Sequence, residues 1–230
     1  MLRTVFLDAG GVLLFPNWTK VSEALARHGV LVDAQALSAA EPHAKHTLDR
    51  GHTIASTNDA GRGWLFFDLI LTAAGVPLSN GTAAALEELQ DYHREHNLWE
   101  FVPSNVVPAL QALRRRGLQL AVVSNANGTL CAHMQRLGLA SLIDCVLDSC
   151  DLGVEKPDPR MFRIALDRSG ADADTTIHVG DLYEVDVVGA RAAGIRGVLL
   201  DEAGLYHDVD CPRVRSLDDL VQEVSRGTFD

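Results

Sequence analysis

One stretch constrains this chain more than any other: Thr4-Val5-Phe6-Leu7-Asp8-Ala9-Gly10-Gly11-Val12-Leu13, an apolar run that stops at a carboxylate and meets two glycines. A short run without polar alternation reads as a strand buried on both faces, and such strands belong to parallel sheets covered by helices. Open α/β sheets take their ligands beyond the carboxyl ends of the strands, which predicts Asp8 at the lip of the sheet with permissive glycine backbone behind it. A plain turn would use the same residues. What decides is whether later segments bring chemistry to the same place.

Beyond Pro103 the pattern alternates: a helix over 105–116, Gly117, a strand over 118–123, a helix over 128–137 ended by Gly138, and a short strand over 145–147. A helix then follows Pro159, a residue suited to a first helical turn. Next come a strand over 176–179, a helix to 193 closed by Gly194, a strand over 197–200 and a last helix from Leu217. Strands alternating with helices predict an α/β fold with a doubly wound parallel sheet. Residues 17–97 show no good strand and read as helices broken at Gly29, Gly51, Gly61-Arg62-Gly63 and Gly75-Val76-Pro77. The expected organisation is a core of residues 1–15 and 98–230, with a helical insert over 16–97. That insert leaves the sheet just after Asp8 and is therefore expected to cap the site.

At 230 residues and 47% hydrophobic, the chain can bury a core of this size with an insert. Its net charge of −11 repels nucleic acid and anionic lipid, so an anionic ligand has to be drawn by a local positive feature such as a bound metal ion. No run is long enough to cross a bilayer and no cleavable signal pattern is present, which predicts a cytoplasmic protein. Cys131, Cys145, Cys150 and Cys211 have irregular spacings without a Cys-x-x-Cys pair; they are expected to be reduced and mostly buried, forming neither a zinc site nor a disulfide framework.

The strand ends carry the chemistry. The second strand runs into Ser124-Asn125 and then a helix, offering a hydroxyl, an amide and backbone N–H groups to an anion; a helix N-cap would look the same. Lys156, in Gly153-Val154-Glu155-Lys156-Pro157-Asp158-Pro159, is one of three lysines, and two prolines stiffen the segment that carries it. An ammonium there can neutralise a carboxylate and a phosphate together, whereas a surface-loop lysine would do nothing. The fourth strand ends His178-Val179-Gly180-Asp181-Leu182-Tyr183-Glu184-Val185-Asp186. Carboxylates grouped in this way suit Mg²⁺, although Asp186 alone would also serve as a helix cap.

Taken in order, Asp8-Ala9-Gly10-Gly11-Val12-Leu13, Ser124-Asn125, Lys156-Pro157 and Gly180-Asp181-x-x-x-x-Asp186 resemble the motifs of the haloacid dehalogenase-like hydrolase superfamily, essentially end to end over the core. The insert position resembles the subfamily with a helical cap between the first and second motifs. The resemblance implies a Rossmann-like core and a Mg²⁺-dependent phosphatase acting on a small phosphorylated metabolite. It implies Asp8 as the nucleophile, Ser124, Asn125 and Gly11 at the phosphate, and Lys156 bridging the phosphate to Asp8. It further implies Mg²⁺ held by Asp8, the Gly10 main chain and Asp181, with Asp186 nearby.

One position departs from that pattern. The family's phosphatases usually carry a second Asp two residues after the nucleophile, where this chain has Gly10. The missing acid–base group predicts slow turnover of esters with poor leaving groups unless Glu184 or a histidine of the insert substitutes. Gly10 also admits three rival readings. A metal-free 2-haloacid dehalogenase conflicts with the acidic Asp181 and Asp186. A phosphonate-cleaving hydrolase would need an insert lysine for a Schiff base, and Lys45, between His43 and His46, is the candidate, although a surface lysine is the plainer reading. A phosphate-binding or interaction protein would have kept the fold without turnover. In the insert, Trp64, Phe66 and Phe67 are expected to pack its own helices, Arg62 is placed to meet a substrate anion, and His43, His46, His52, His93 and His96 are read as solvated rather than metal-binding.

Overall fold

The structure is a computed structural model that describes residues 1–50 and 59–230, with side chains from 64 onward in the second segment. Gly51, His52 and the side chain of Arg62 therefore lie outside the described residues. The chain divides into two compact units, one formed by Met1–Leu14 with Val102–Asp230 and the other by Phe15–Phe101.

The first unit is built on a parallel sheet of β1 (Thr4–Leu7), β2 (Gln119–Ser124), β3 (Cys145–Asp148), β4 (Thr176–Gly180), β5 (Arg196–Leu200) and β6 (Arg213–Val214). Their order in space is β3-β2-β1-β4-β5-β6, so the chain winds outward from β1 in both directions. This is the doubly wound arrangement, and its switch point lies beside β1. Phe6 stands opposite Ala121 on one side and His178 on the other, which brings the carboxyl ends of β1, β2 and β4 level with one another. β1 is buried at all four positions, as its unbroken apolar run requires. The edge strand β6 and a short helix over Ser149–Leu152 add to the expected elements. Two residues are too short a segment to show alternation, which is why β6 gave no pattern.

In the second unit, helices α1 (Trp18–Arg27), α2 (Ala34–Arg50), α3 (Asp59–Ala73) and α4 (Asn80–His96) are described. Asn17 caps α1 by accepting from Lys20 N, while Ser79 and Thr82 cap each other's backbone at the start of α4. Their core includes Trp18, Leu25, Leu37, Phe66, Phe67, Ile70, Leu71 and Leu89. Phe67 contacts Trp18, Trp64, Phe66 and Trp99, so these aromatics pack the unit's own interior.

Several local expectations are corrected. Gly61-Arg62-Gly63 does not break the chain, because α3 runs through it. Each glycine costs a helix about 1 kcal/mol, less than is gained by burying the apolar face that follows. Lys45 is not a surface lysine: its ammonium lies 2.7 Å from Glu41 Oε1, and Glu41 is buried and accepts from Trp18 Nε1. His93 is not solvated either. It accepts from Leu98 N and packs edge-on against Trp64 and Trp99. The cysteines are free as expected but none is fully buried, and Cys131 and Cys150 are exposed.

Among the described residues no helix is long and apolar enough to cross a membrane.

Candidate active site

Asp8 is the first residue past β1, and its N–H donates to Val179 O at 2.9 Å, which ties it to the end of β4. The turn behind it is closed by Ala9 O, which accepts from Leu13 N and Leu14 N at 2.9 Å. Gly11 has a φ of +71°, a left-handed conformation that glycine adopts without strain, and gives its N–H to Leu14 O. Gly11 thus contributes the turn, and its own N–H is already used. The Asp8 side chain is 14% exposed, accepts from Ala9 N at 2.7 Å and is hydrogen-bonded by the Ser124 hydroxyl.

Lys156 is completely buried. Its ammonium lies 3.0 Å from Asp8 Oδ1 and 2.6 Å from Asp186 Oδ1. Burial disfavours the charge, but attraction to Asp186 and then to Asp8 outweighs it and holds the ammonium above its ordinary pKa. Asn125 does something different from what its position suggested. Its Oδ1 accepts from Lys156 N at 2.7 Å and its Nδ2 donates to Lys156 O at 3.0 Å, so the side-chain amide clamps the lysine's main chain.

Asp181 immediately follows β4, and Asp186 lies in a π-helical stretch, Tyr183–Val188. Wide turns of this kind recur at functional sites. Asp186 is fully buried, yet its carboxyl is held below its usual range: burial raises it, and Lys156 together with the His178 hydrogen bond lowers it further. Gly180 makes room for that carboxylate, since a Cβ there would lie 2.0 Å from Asp186 Cγ. Ligand oxygens of Asp8, Asp181 and Asp186 all lie within 4.8 Å of one another.

Three clustered carboxylates, two of them paired with one ammonium, leave an excess of negative charge that adds to the effect of burial on Asp8. Its pKa is pushed up to about 7, chiefly by burial and further by Asp186 and Asp181, against the lowering effects of Lys156 and Ser124. Hard oxygen donors with uncompensated negative charge fit a small divalent cation such as Mg²⁺. Glu184, considered as a replacement acid, is exposed and is not a member of this cluster.

Two groups that sequence reading left without a role complete the site. Asp148 is buried at the end of β3 and accepts from Gly128 N, Leu130 N and Cys150 N, which fixes the loop after Ser124. His178 lies under Asp186 with its Nε2 2.9 Å from Oδ1. A polar residue between Ile177 and Val179 in a buried strand was the available signal for it.

A family model described as haloacid dehalogenase-like hydrolase matches residues 2–194. The chain is 33% identical over 212 residues to the haloacid dehalogenase-like hydrolase domain-containing protein 3 of Bos taurus, covering 86% of this chain and 82% of that protein. With its Mus musculus counterpart the match is 37% over 127 residues and spans 50% of that protein's length. A glyceraldehyde 3-phosphate phosphatase of Methanopyrus kandleri is 32% identical over 173 residues, 70% of this chain and 72% of that protein. Among solved structures, a 2-haloacid dehalogenase from Pseudomonas syringae pv. Tomato DC3000 is similar with a TM-score of 0.61 and 25% identity, over 99% of this chain and 100% of that one.

Proposed function

The chain belongs to the haloacid dehalogenase-like hydrolase family, and we propose that it is a Mg²⁺-dependent phosphatase of a small phosphorylated metabolite, with Asp8 as nucleophile. The observation that carries this reading is the charge balance of the site: of three clustered carboxylates only Asp8 and Asp186 pair with the buried ammonium, and Asp8 is left with a pKa of about 7. The additional carboxylates of Asp181 and Asp186 weigh against a metal-free dehalogenase. The phosphatase name of the Methanopyrus relative supports the same direction.

Asp8, Asp181 and the Gly10 main chain would hold Mg²⁺, with Asp186 behind them. When bound, the ion supplies positive charge that lets a carboxylate and a phosphate approach each other. Two like charges about 4 Å apart repel by roughly 4 kcal/mol at an effective dielectric near 20, and the Lys156 ammonium, 3.0 Å from Asp8 Oδ1, would offset part of that repulsion. An Asp8 carboxylate oxygen attacks phosphorus as the ester P–O bond breaks, leaving an aspartyl phosphate and an alkoxide. The alkoxide takes its proton from solvent, because Gly10 provides no side-chain acid. Water then attacks phosphorus and gives up a proton, the Asp8–phosphorus bond breaks, and the carboxylate returns with inorganic phosphate released. Ser124 would hold the phosphoryl oxygens by its hydroxyl, and Asn125 would act through Lys156.

A panel of phosphoesters assayed with Mg²⁺ and with chelator tests the reading, alongside 2-haloacids and phosphonoacetaldehyde. Metal-dependent phosphate release that disappears in Asp8→Asn is expected. Metal-free halide release, or borohydride trapping of an aldehyde on Lys45, would replace this reading with a rival one. Binding of Mg²⁺ without turnover of any substrate would leave a phosphate-binding protein.

A further inference from the structure

We propose that His178 is a positioning residue of this site: from within β4 its Nε2–H fixes the Asp186 carboxylate, which in turn fixes the Lys156 ammonium against Asp8. The arrangement follows the pleat of the strand. His178 and Gly180 are two residues apart and share a face. The Asp186 carboxylate fills the space that a side chain on Gly180 would occupy, directly beyond the imidazole. Its Oδ1 accepts from His178 Nε2 at 2.9 Å and from Lys156 Nζ at 2.6 Å, while its Oδ2 accepts from Leu182 N at 3.1 Å. Both lone pairs of Oδ1 are therefore used.

The other ring nitrogen shows what the residue is for. His178 is fully buried, its ring packs edge-on against Phe162, and its Nδ1 has no hydrogen-bond partner. A buried polar atom without a partner costs stability, and an apolar side chain would have avoided that cost here. With Nε2 2.9 Å from Asp186 Oδ1 and Nδ1 unpartnered, the tautomer with hydrogen on Nε2 is the one that serves Asp186. The residue sits in the interior of the sheet, with Phe6 of β1 and Gly197 of β5 as its neighbours in register. Without it, Oδ1 keeps only the mobile ammonium as donor, and the ammonium loses a rigid counter-charge. Lys156 is then clamped by Asn125 at its main chain but free to shift at its tip.

The kinetic part of the test rests on the phosphatase reading, and a second part does not. With Mg²⁺ and p-nitrophenyl phosphate, His178→Met is expected to lower kcat about 10- to 100-fold with KM within about 3-fold, because displacement of a reacting group by about 1 Å costs rates of that order. His178→Gln, whose amide nitrogen can stand in for Nε2, is expected to keep kcat within about 3-fold of the wild type. A folded His178→Met enzyme as fast as the wild type, or a Gln variant as slow as the Met variant, overturns the proposal. If the wild type releases no phosphate, the phosphatase reading alone fails, and the nitrogen resonances of the full-length protein decide. Histidine labelled with ¹⁵N should show a slowly exchanging Nε2–H and a bare Nδ1 at His178. The Lys156 ammonium resonance should move in His178→Met and return in His178→Gln. A hydrogen found on Nδ1, or a Lys156 resonance indifferent to both substitutions, overturns the proposal whatever the turnover.

Discussion

Asp8→Asn should abolish turnover and yet make the metal-free protein more stable, and the size of that gain follows from the site's electrostatics. Folding moves the Asp8 pKa from an ordinary 3.8 to about 7. At about 1.4 kcal/mol per tenfold change in proton affinity, ionised Asp8 costs the folded chain about 4 kcal/mol at pH 8. The pKa is raised, so the stability that Asp8 contributes is whole below about pH 4 and is lost as the pH climbs through about 7. Asparagine imitates the protonated acid at every pH. Its NH2 group replaces an oxygen that accepts hydrogen bonds in the wild type, which offsets about 1 kcal/mol and leaves roughly 3 kcal/mol. For a chain of this length that is a rise in Tm of roughly 6–12 °C at pH 8 in chelator, shrinking to a degree or two near pH 5. All three tryptophans, Trp18, Trp64 and Trp99, belong to the other compact unit, so the melt has to be followed by far-ultraviolet circular dichroism or by amide exchange in β1 and β4. Saturating Mg²⁺ should close the gap, since the wild type gains a counter-charge and the variant loses a ligand. A variant that melts at or below the wild type at pH 8 in chelator would refute the reasoning. So would a gain equally large at pH 5.

The remaining outcomes concern neighbours of Asp8. Lys156→Met leaves Asp186 buried without its ammonium and should cost about 3–5 kcal/mol by chemical denaturation, besides removing activity; a loss under 1 kcal/mol would show that the carboxylate finds another partner. Gly180→Ala puts a Cβ 2.0 Å from Asp186 Cγ and should lower both Tm and kcat, whereas Gly29→Ala, with no atom within 4 Å of the new Cβ and only its left-handed φ of +77° against it, should lower only Tm. Gly10→Asp should raise kcat for alkyl phosphates by about 10²-fold or more and for p-nitrophenyl phosphate far less, since only a poor leaving group needs the acid; equal gains on both would argue that leaving-group protonation was never limiting.

The parts of this fold that a reader of the sequence could place are those whose cause is local. β1 announced itself because a strand buried on both faces needs an unbroken apolar run, β4 was marked by Ile177 and Val179 on either side of His178, and Asp8 and Asp181 stood out because each follows such a strand. The break expected at Gly61-Arg62-Gly63 failed because local propensity there is overridden by Phe66, Phe67, Ile70 and Leu71, which hold α3 against the other helices. Lys45 was misjudged, and its partner Glu41 passed over, for a related reason. They are four residues apart on α2, and what makes their pair an interior one is Trp18 and Phe15, supplied from elsewhere in the chain.

The same distinction explains which members of the site stayed hidden. Asn125 sits beside Ser124 in the sequence and was therefore assigned to the phosphate, but its partner is the main chain of a residue 31 positions away. His178 was in plain view two residues before the fourth motif, and nothing local said that its ring would meet the carboxylate of Asp186, because that meeting depends on the absence of a side chain at Gly180 and on the π-helical turn that brings the chain back over the strand. The residues that present charge to a ligand are thus found by type and spacing. Those that hold the presented charge still are found only when the strands are side by side: Asn125 grips Lys156 at its backbone and His178, through Asp186, grips it at its tip. A lysine fixed at both ends can keep two carboxylates and an incoming phosphate in register without reorganising as charge moves, which is the condition under which electrostatic stabilisation of a transition state is large.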